Sequence, residues 1–200
     1  MIAIIDYGMG NLRSVQKAFE NVGARAAITS NKDEIAKAGK VVLPGVGAMQ
    51  PAMDRLKELG LVETIKASVE SGRPFFGICL GLQLLFDESN EGGRVAGLGI
   101  IPGRVERFGS LKVPHMGWNQ LLIRNLQGPM YRQVLNGTNV YFCHSYFVTP
   151  KDNNAVATTT EYGASFVSSV CRGNIWGVQF HPEKSQKAGL QILKNFAELT

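Results

Sequence analysis

Cysteine is scarce. The chain holds three, Cys79, Cys143 and Cys171, far apart and without C-x-x-C spacing. An odd, scattered set excludes a disulfide framework and a zinc site, and predicts a reducing, cytoplasmic setting with no metal. Long apolar runs are missing too. The nearest, Pro74 to Phe86, is interrupted by Gly77, Gly81 and Gln83, so no membrane span is expected. The start, MIAIIDYG, has no basic segment and too short an apolar run for a signal peptide. Charge is thin: charged residues make up 18%, with 21 Lys plus Arg against 16 Asp plus Glu. The resulting net charge of +5 is scattered, so no nucleic-acid partner is expected. Histidine is limited to His115, His144 and His181, which leaves few candidates for a catalytic base.

What remains is globular. The 200 residues are 44% hydrophobic, enough for one buried core, and no linker or repeat divides residues 1–200 into more than one domain. In the first half, short apolar runs alternate with helical stripes. Ile2 to Ile5, Arg25 to Thr29, Lys40 to Leu43 and Pro74 to Ile78 read as strands. Asn11 and Asn31 read as helix caps, Pro51 as a first-turn residue, and Leu80 to Phe86 as a buried helix. Such alternation predicts an α/β three-layer sandwich around a largely parallel sheet. The second half changes character. Gly97 to Phe108, Asn139 to Thr149, Ala155 to Thr160, Ala164 to Val170 and Asn174 to Phe180 read as strands, some of them antiparallel at the sheet edge. A last helix starts near Ser185.

The window Phe75-Phe76-Gly77-Ile78-Cys79-Leu80-Gly81 reads strand, sharp turn, helix, with a cysteine between two glycines. It is the cysteine form of a nucleophile elbow. Small residues on both sides let strand and helix approach, and the sulfur stands at a helix start, where a thiolate is favoured. The amide of Leu80 is then placed to donate to an oxyanion. The same residues also fit an inert core cysteine. A base must be near. His181 ends a strand in Gln179-Phe180-His181-Pro182-Glu183, and Pro182 keeps the chain extended. Glu183, two residues on, projects to the same side and can orient the imidazole. Cys79, His181 and Glu183 form a candidate triad. His144, in an aromatic strand with no nearby carboxylate, reads as a structural or pocket residue. Leu43-Pro44-Gly45-Val46-Gly47 follows a strand and can turn a backbone amide toward a ligand. Gln50 and Arg13 stand where a dinucleotide fingerprint needs its third glycine, and neither loop carries a Walker lysine.

Taken in order, GICLGLQLLF, LPGVGA and GVQFHPEKS resemble the class I glutamine amidotransferases, the triad type. IAIIDYGMGNLRSV and Val113-Pro114-His115-Met116-Gly117-Trp118-Asn119 narrow the resemblance to the branch whose partner is a (β/α)8-barrel cyclase. The resemblance covers the whole chain and implies glutamine as substrate, Cys79 as nucleophile, His181 as acid and base, and Glu183 as its orienter. It implies an oxyanion hole from Leu80 and Val46, and a glutamine pocket from Gly47, Gln83, Glu91, Ser145 and Tyr146. It places His115, Met116, Trp118, Tyr141 and Lys184 at the interface of a heterodimer, and implies no cofactor. Glutaminases serving anthranilate, aminodeoxychorismate or pyridoxal phosphate synthesis share the triad. A cysteine peptidase or hydrolase of related fold would release no ammonia for transfer.

Overall fold

The computed structural model describes residues 1–109, 111–124 and 128–199. Its strands are β1 (Ile2–Ile5), β2 (Ala26–Thr29), β3 (Lys40–Gly45), β4 (Phe75–Cys79), β5 (Phe86–Ser89), β6 (Val95–Ala96) and β7 (Ile101–Arg107). They continue with β8 (His115–Gln120), β9 (Leu122–Ile123), β10 (Asn139–His144), β11 (Tyr146–Pro150), β12 (Val156–Glu161), β13 (Ser165–Arg172) and β14 (Ile175–Val178). The helices are α1 (Leu12–Asn21), α2 (Lys32–Lys37), α3 (Met49–Glu58), α4 (Val62–Glu70), α5 (Leu80–Leu84) and α6 (Gln186–Glu198). No helix is long and apolar enough to cross a membrane among the described residues.

Helix starts follow local chemistry. The Asn31 side chain accepts from the amides of Asp33 and Glu34 at 2.9 and 3.3 Å, and Asn11 accepts from Ser14 at 3.4 Å. Pro51 falls in the first turn of α3, where a missing N–H costs nothing.

The main sheet runs β2-β1-β3-β4-β14-β13-β11-β7-β5-β6, with β12 and β9 attached through β13. Its first five strands are mutually parallel. From β13 onward antiparallel pairs dominate. Because strand side chains alternate, each parallel strand feeds both faces. Ala3, Ile5, Val41, Leu43 and Phe75 pack with α3 and α4 on one side. Ile2, Ile4, Val42, Phe76 and Ile78 pack with Val15 and Phe19 of α1 and Ile192, Leu193 and Phe196 of α6 on the other. The result is the three-layer α/β sandwich expected from the sequence.

Some boundaries differ. The apolar run Leu80 to Phe86 is helical only to Leu84, and Phe86 opens β5. Gly97 to Phe108 is not one strand, since only Ile101–Arg107 pairs as β7. Asn139 to Thr149 splits at Ser145 into β10, which pairs with β8 in a separate two-stranded sheet, and β11, which joins the main one. A chain that changes sheets must turn a corner, and Ser145 is that corner. Strand β8 was not anticipated at all.

Register then aligns the ends of three adjacent strands. Gly45 of β3 pairs with Cys79 of β4, and Val178 of β14 pairs with Ile78. The loop after β3, the turn after β4 and the segment after β14 therefore meet at the carboxyl edge of the parallel sheet, the usual ligand position in α/β sheets.

Candidate active site

Cys79 sits at φ 55° and ψ −109°, a conformation that non-glycine residues rarely adopt. Strain of this kind costs roughly 1–3 kcal/mol and persists only where the surroundings enforce it. Here the flanking glycines allow it. A Cβ on Gly77 would meet the Gly81 carbonyl oxygen at 2.8 Å and Leu82 Cα at 2.9 Å. One on Gly81 would overlap the Leu43 carbonyl of β3. Strand β4 and helix α5 can close on each other, and on β3, only without those side chains.

His181 follows β14 and Pro182 turns the chain. Its Nδ1 lies 2.9 Å from Glu183 Oε1, with both side chains almost wholly buried. Since Nδ1 faces a carboxylate, Nε2 is the nitrogen left for Cys79. Burial pushes the His181 pKa down, but bonding and attraction to Cys79 and Glu183 outweigh it and raise it to about 10. His181 therefore holds its proton at neutral pH.

His144 is a different histidine. A backbone carbonyl can only accept, so Nδ1 must donate to Tyr146 O, 2.7 Å away. Its Nε2 is then the acceptor for His115 Nδ1 at 3.0 Å, and His115 Nε2 accepts from Asn119 Nδ2 at 3.2 Å. Both rings are neutral in this chain. Burial lowers both pKa values, that of His144 to about 3. Neither nitrogen of His144 is free to serve Cys79, which leaves His181 as the base.

These opposed shifts predict a pH profile for stability. His144 is depressed, so its contribution is complete above about 6.5 and is lost as pH falls toward 3. His181 is raised, so its contribution is complete below about 6.5 and is lost as pH rises through 10. Denaturant midpoints measured across pH should fall on both flanks of neutrality. In a Glu183→Gln variant the alkaline fall should shrink, and an unchanged alkaline flank would contradict the assignment.

One cleft of about 260 Å³ is lined by Val46, Gly47, Cys79, Leu80, Gln83, Glu91, Ser145, Tyr146 and His181, together with Cys143, His144, Pro114 and Lys184. The structure thus brings together the triad cysteine and histidine, both oxyanion candidates and every residue of the expected glutamine pocket. Its size suits a small metabolite, below the roughly 300–1,000 Å³ of drug-sized sites. Glu91 also ties the loop after β3, since its Oε2 accepts from the Met49 amide at 2.8 Å. Tyr7, not foreseen as a site residue, donates to the Pro44 carbonyl near the end of β3 at 2.9 Å. A larger cleft of about 590 Å³ around Asp87, Arg94 and Lys151 is lined by no cysteine and no histidine. Its charges pair locally, as in Lys151 with Asp87 and Arg94 with Glu88. Among the described residues no cluster of His, Cys, Asp or Glu could hold a metal ion.

The expected interface residues divide. Met116 and Trp118 are 62% and 48% exposed on the outer face of β8, and Val46 is 42% exposed at the cleft mouth. Trp118 packs edge-on to Tyr141 with ring centroids 6.0 Å apart, and Lys184 Nζ lies 5.8 Å from the Tyr141 centroid. His115 does not belong with them. It is buried, stacked on Phe142 and Tyr162, because alternation along β8 turns it inward where Met116 and Trp118 turn outward.

Comparison with known proteins gives the family and the fold. The family described as glutamine amidotransferase class-I matches residues 3–199. The imidazole glycerol phosphate synthase subunit HisH of Syntrophotalea carbinolica is 56% identical, covering 100% of both chains. That of Moorella thermoacetica is 54% identical over 99% of this chain and 94% of its own. Among solved structures, one described as a glutamine amidotransferase superposes with TM-score 0.78 over 100% of both chains at 19% identity. The PurLQS structure from Thermotoga maritima gives 0.77 at 18% identity, over 98% of this chain and 96% of that one. At such identity the structural likeness speaks for the fold alone.

Proposed function

The chain belongs to the class I glutamine amidotransferase family, and from that premise we propose that residues 1–200 form a single domain, the glutaminase subunit of imidazole glycerol phosphate synthase. In this reading it hydrolyses glutamine to glutamate and passes ammonia to a (β/α)8-barrel cyclase in histidine biosynthesis. The observation that carries the chemistry is the strained Cys79 facing a protonated, Glu183-held His181 in a cleft of metabolite size. Full-length identity of 52–56% to imidazole glycerol phosphate synthase subunits favours this acceptor over the other ammonia-consuming syntheses.

The steps follow from the geometry. An imidazolium beside Sγ is the setting in which a thiolate attacks. Sγ bonds to the side-chain carbonyl carbon of glutamine, and the carbonyl oxygen takes the negative charge. The Leu80 N–H and a loop N–H at Val46 would receive that oxyanion. His181 Nε2 then gives its proton to the leaving nitrogen, the C–N bond breaks and ammonia departs. Water attacks the thioester while His181 takes its proton. Glutamate leaves and Sγ is released. Glu183 holds Nδ1 throughout, which keeps Nε2 aimed.

Lys184 lines the cleft and lies by the Tyr141 ring, Tyr141 packs on Trp118, and Met116 and Trp118 are exposed on β8; these four would contact the cyclase. An exposed apolar group of this kind marks a protein interface. Val46 lines the same cleft as Cys79 and Lys184 and is itself exposed, so docking can set the aim of its loop. Purified chain should hydrolyse glutamine slowly, and adding the cyclase with its substrate should raise the rate by an order of magnitude or more. A rate indifferent to the cyclase would sink the partner assignment. Absence of any glutamine-dependent ammonia release would sink the glutaminase itself.

A further inference from the structure

We propose that Gln179 is a further catalytic residue, an amide whose N–H is held on Cys79 Sγ by an ordered chain of buried polar groups. The inference rests on the glutaminase reading for its role in turnover, though not for the contact itself. Gln179 is fully buried and follows Val178, the register partner of Ile78, so it emerges beside Cys79. A buried primary amide must place two donors and an acceptor.

The direction of the chain can be assigned from one fixed point. The Tyr146 carbonyl only accepts, and it receives His144 Nδ1 at 2.7 Å and Gln83 Nε2 at 3.1 Å. The other donor of Gln83 Nε2 meets Gln179 Oε1 at 3.0 Å. With its oxygen so committed, Gln179 must turn Nε2 to the remaining neighbour, Cys79 Sγ, at 3.8 Å. Flipping Gln179 would set two NH2 groups face to face. The Cys143 carbonyl lies 4.0 Å from the same sulfur and would repel a thiolate. Gln179 supplies the neutral donor that offsets it.

Titratable groups facing Cys79 are His181 from the turn after β14 and Tyr7 from the segment after β1, with Glu183 behind His181, and the cleft they share is also lined by Glu91, Cys143, His144, Tyr146 and Lys184. While His181 passes protons to ammonia and from water, the sulfur is negative before it attacks and again when the thioester breaks, and one donor of constant charge can serve it at both points. Gln179 is that donor, and it also receives the thiolate expelled from the thioester.

Alkylation of Cys79 by iodoacetamide, resolved by mass spectrometry on the full chain, reads the sulfur without substrate. Gln179→Met keeps the length and removes the N–H. Alkylation at neutral pH should slow about tenfold, the scale of a hydrogen bond to a charged acceptor, and its midpoint should move to higher pH. In the complex with the cyclase, kcat for glutamine should fall more than KM rises. Gln179→Glu keeps an acceptor for Gln83 but sets a carboxylate oxygen against sulfur, and should slow alkylation further. An unchanged rate and midpoint in a folded Gln179→Met chain overturns the inference. Should that variant fail to fold, unchanged alkylation in Gln179→Glu overturns it instead. A Gln179-dependent alkylation rate in a chain that releases no ammonia from glutamine would uphold the contact and refute only the glutaminase reading.

Discussion

Cys79→Ala in the assembled enzyme should abolish glutamine-dependent turnover and spare turnover fed by ammonium salt. The loss should be at least about 10⁴-fold, since removing a nucleophile that works as a unit with its base leaves only binding and oxyanion stabilisation. The reason for sparing lies in where the acceptor chemistry happens. The acceptor reaction is assigned to the cyclase, whereas the cleft of this chain holds Cys79 with His181 and the pocket proposed for glutamine. Ammonia supplied from solution needs neither. Alanine keeps Cβ, so the elbow loses one sulfur and no backbone packing. Cys171→Ala is the matching control. Cys171 lies on β13 opposite Trp176, and burial pushes its thiol up to about 11, so it is an inert thiol. Loss of ammonia-dependent turnover together with glutamine-dependent turnover would mean that Cys79 supports the complex rather than the reaction.

What the sequence disclosed about this site depended on distance along the chain. The elbow was readable because its motif is local: Gly77 is required by the backbone of Gly81 and Leu82, although what Gly81 avoids is the Leu43 carbonyl of β3. His181 and Glu183 were readable for the same reason, since Pro182 keeps them extended and on one side. Gln179 was not, although it sits two residues from His181. Its meaning comes from β14 pairing in parallel with β4, and no feature of either segment alone sets that register. His144 was open for the same cause. The Tyr146 carbonyl fixes its tautomer, but what occupies its Nε2 is His115, 29 residues away and across an antiparallel pair. His115 itself was placed at an interface because the run from Pro114 to Trp118 was taken together. Reading β8 with period two would have turned it inward and left Met116 and Trp118 outside.

The fold shows the same division. Four of the five parallel strands, β1 to β4, and helices α1 to α4 follow from apolar runs and caps within the first 79 residues. Strand β5 was hidden inside a helical run because Phe86 continues the apolar pattern of α5, and only pairing with β7 makes it a strand. The break at Ser145 was hidden because aromatic residues continue across it. In each case a tertiary partner overrides a local pattern.

Gly81→Ala should be among the most damaging single-methyl changes available to this protein. The added Cβ would lie on the Leu43 carbonyl oxygen of β3, a backbone atom that cannot rotate away. Relief requires α5 to lift from the sheet or β3 to shift against β4. Either motion disturbs the pairing of Gly45 with Cys79, which brings the oxyanion loop beside the nucleophile. Overpacking against a rigid neighbour costs roughly 1–3 kcal/mol and more when backbone must move, so a loss of about 3–5 kcal/mol is expected. For a chain of this size that is a fall in melting temperature of roughly 10 °C or more. Gly177→Ala should cost less, because the nearest atom there is the end of the flexible Leu82 side chain. Gly109→Ala, with open space around it, should change stability by no more than about 0.5 kcal/mol. Thermal melts of the three variants give the order, and Cys79 alkylation reports the elbow. A Gly81→Ala chain that melts and alkylates like the wild type would mean that close approach of α5 to β3 is not what holds the nucleophile in its strained conformation.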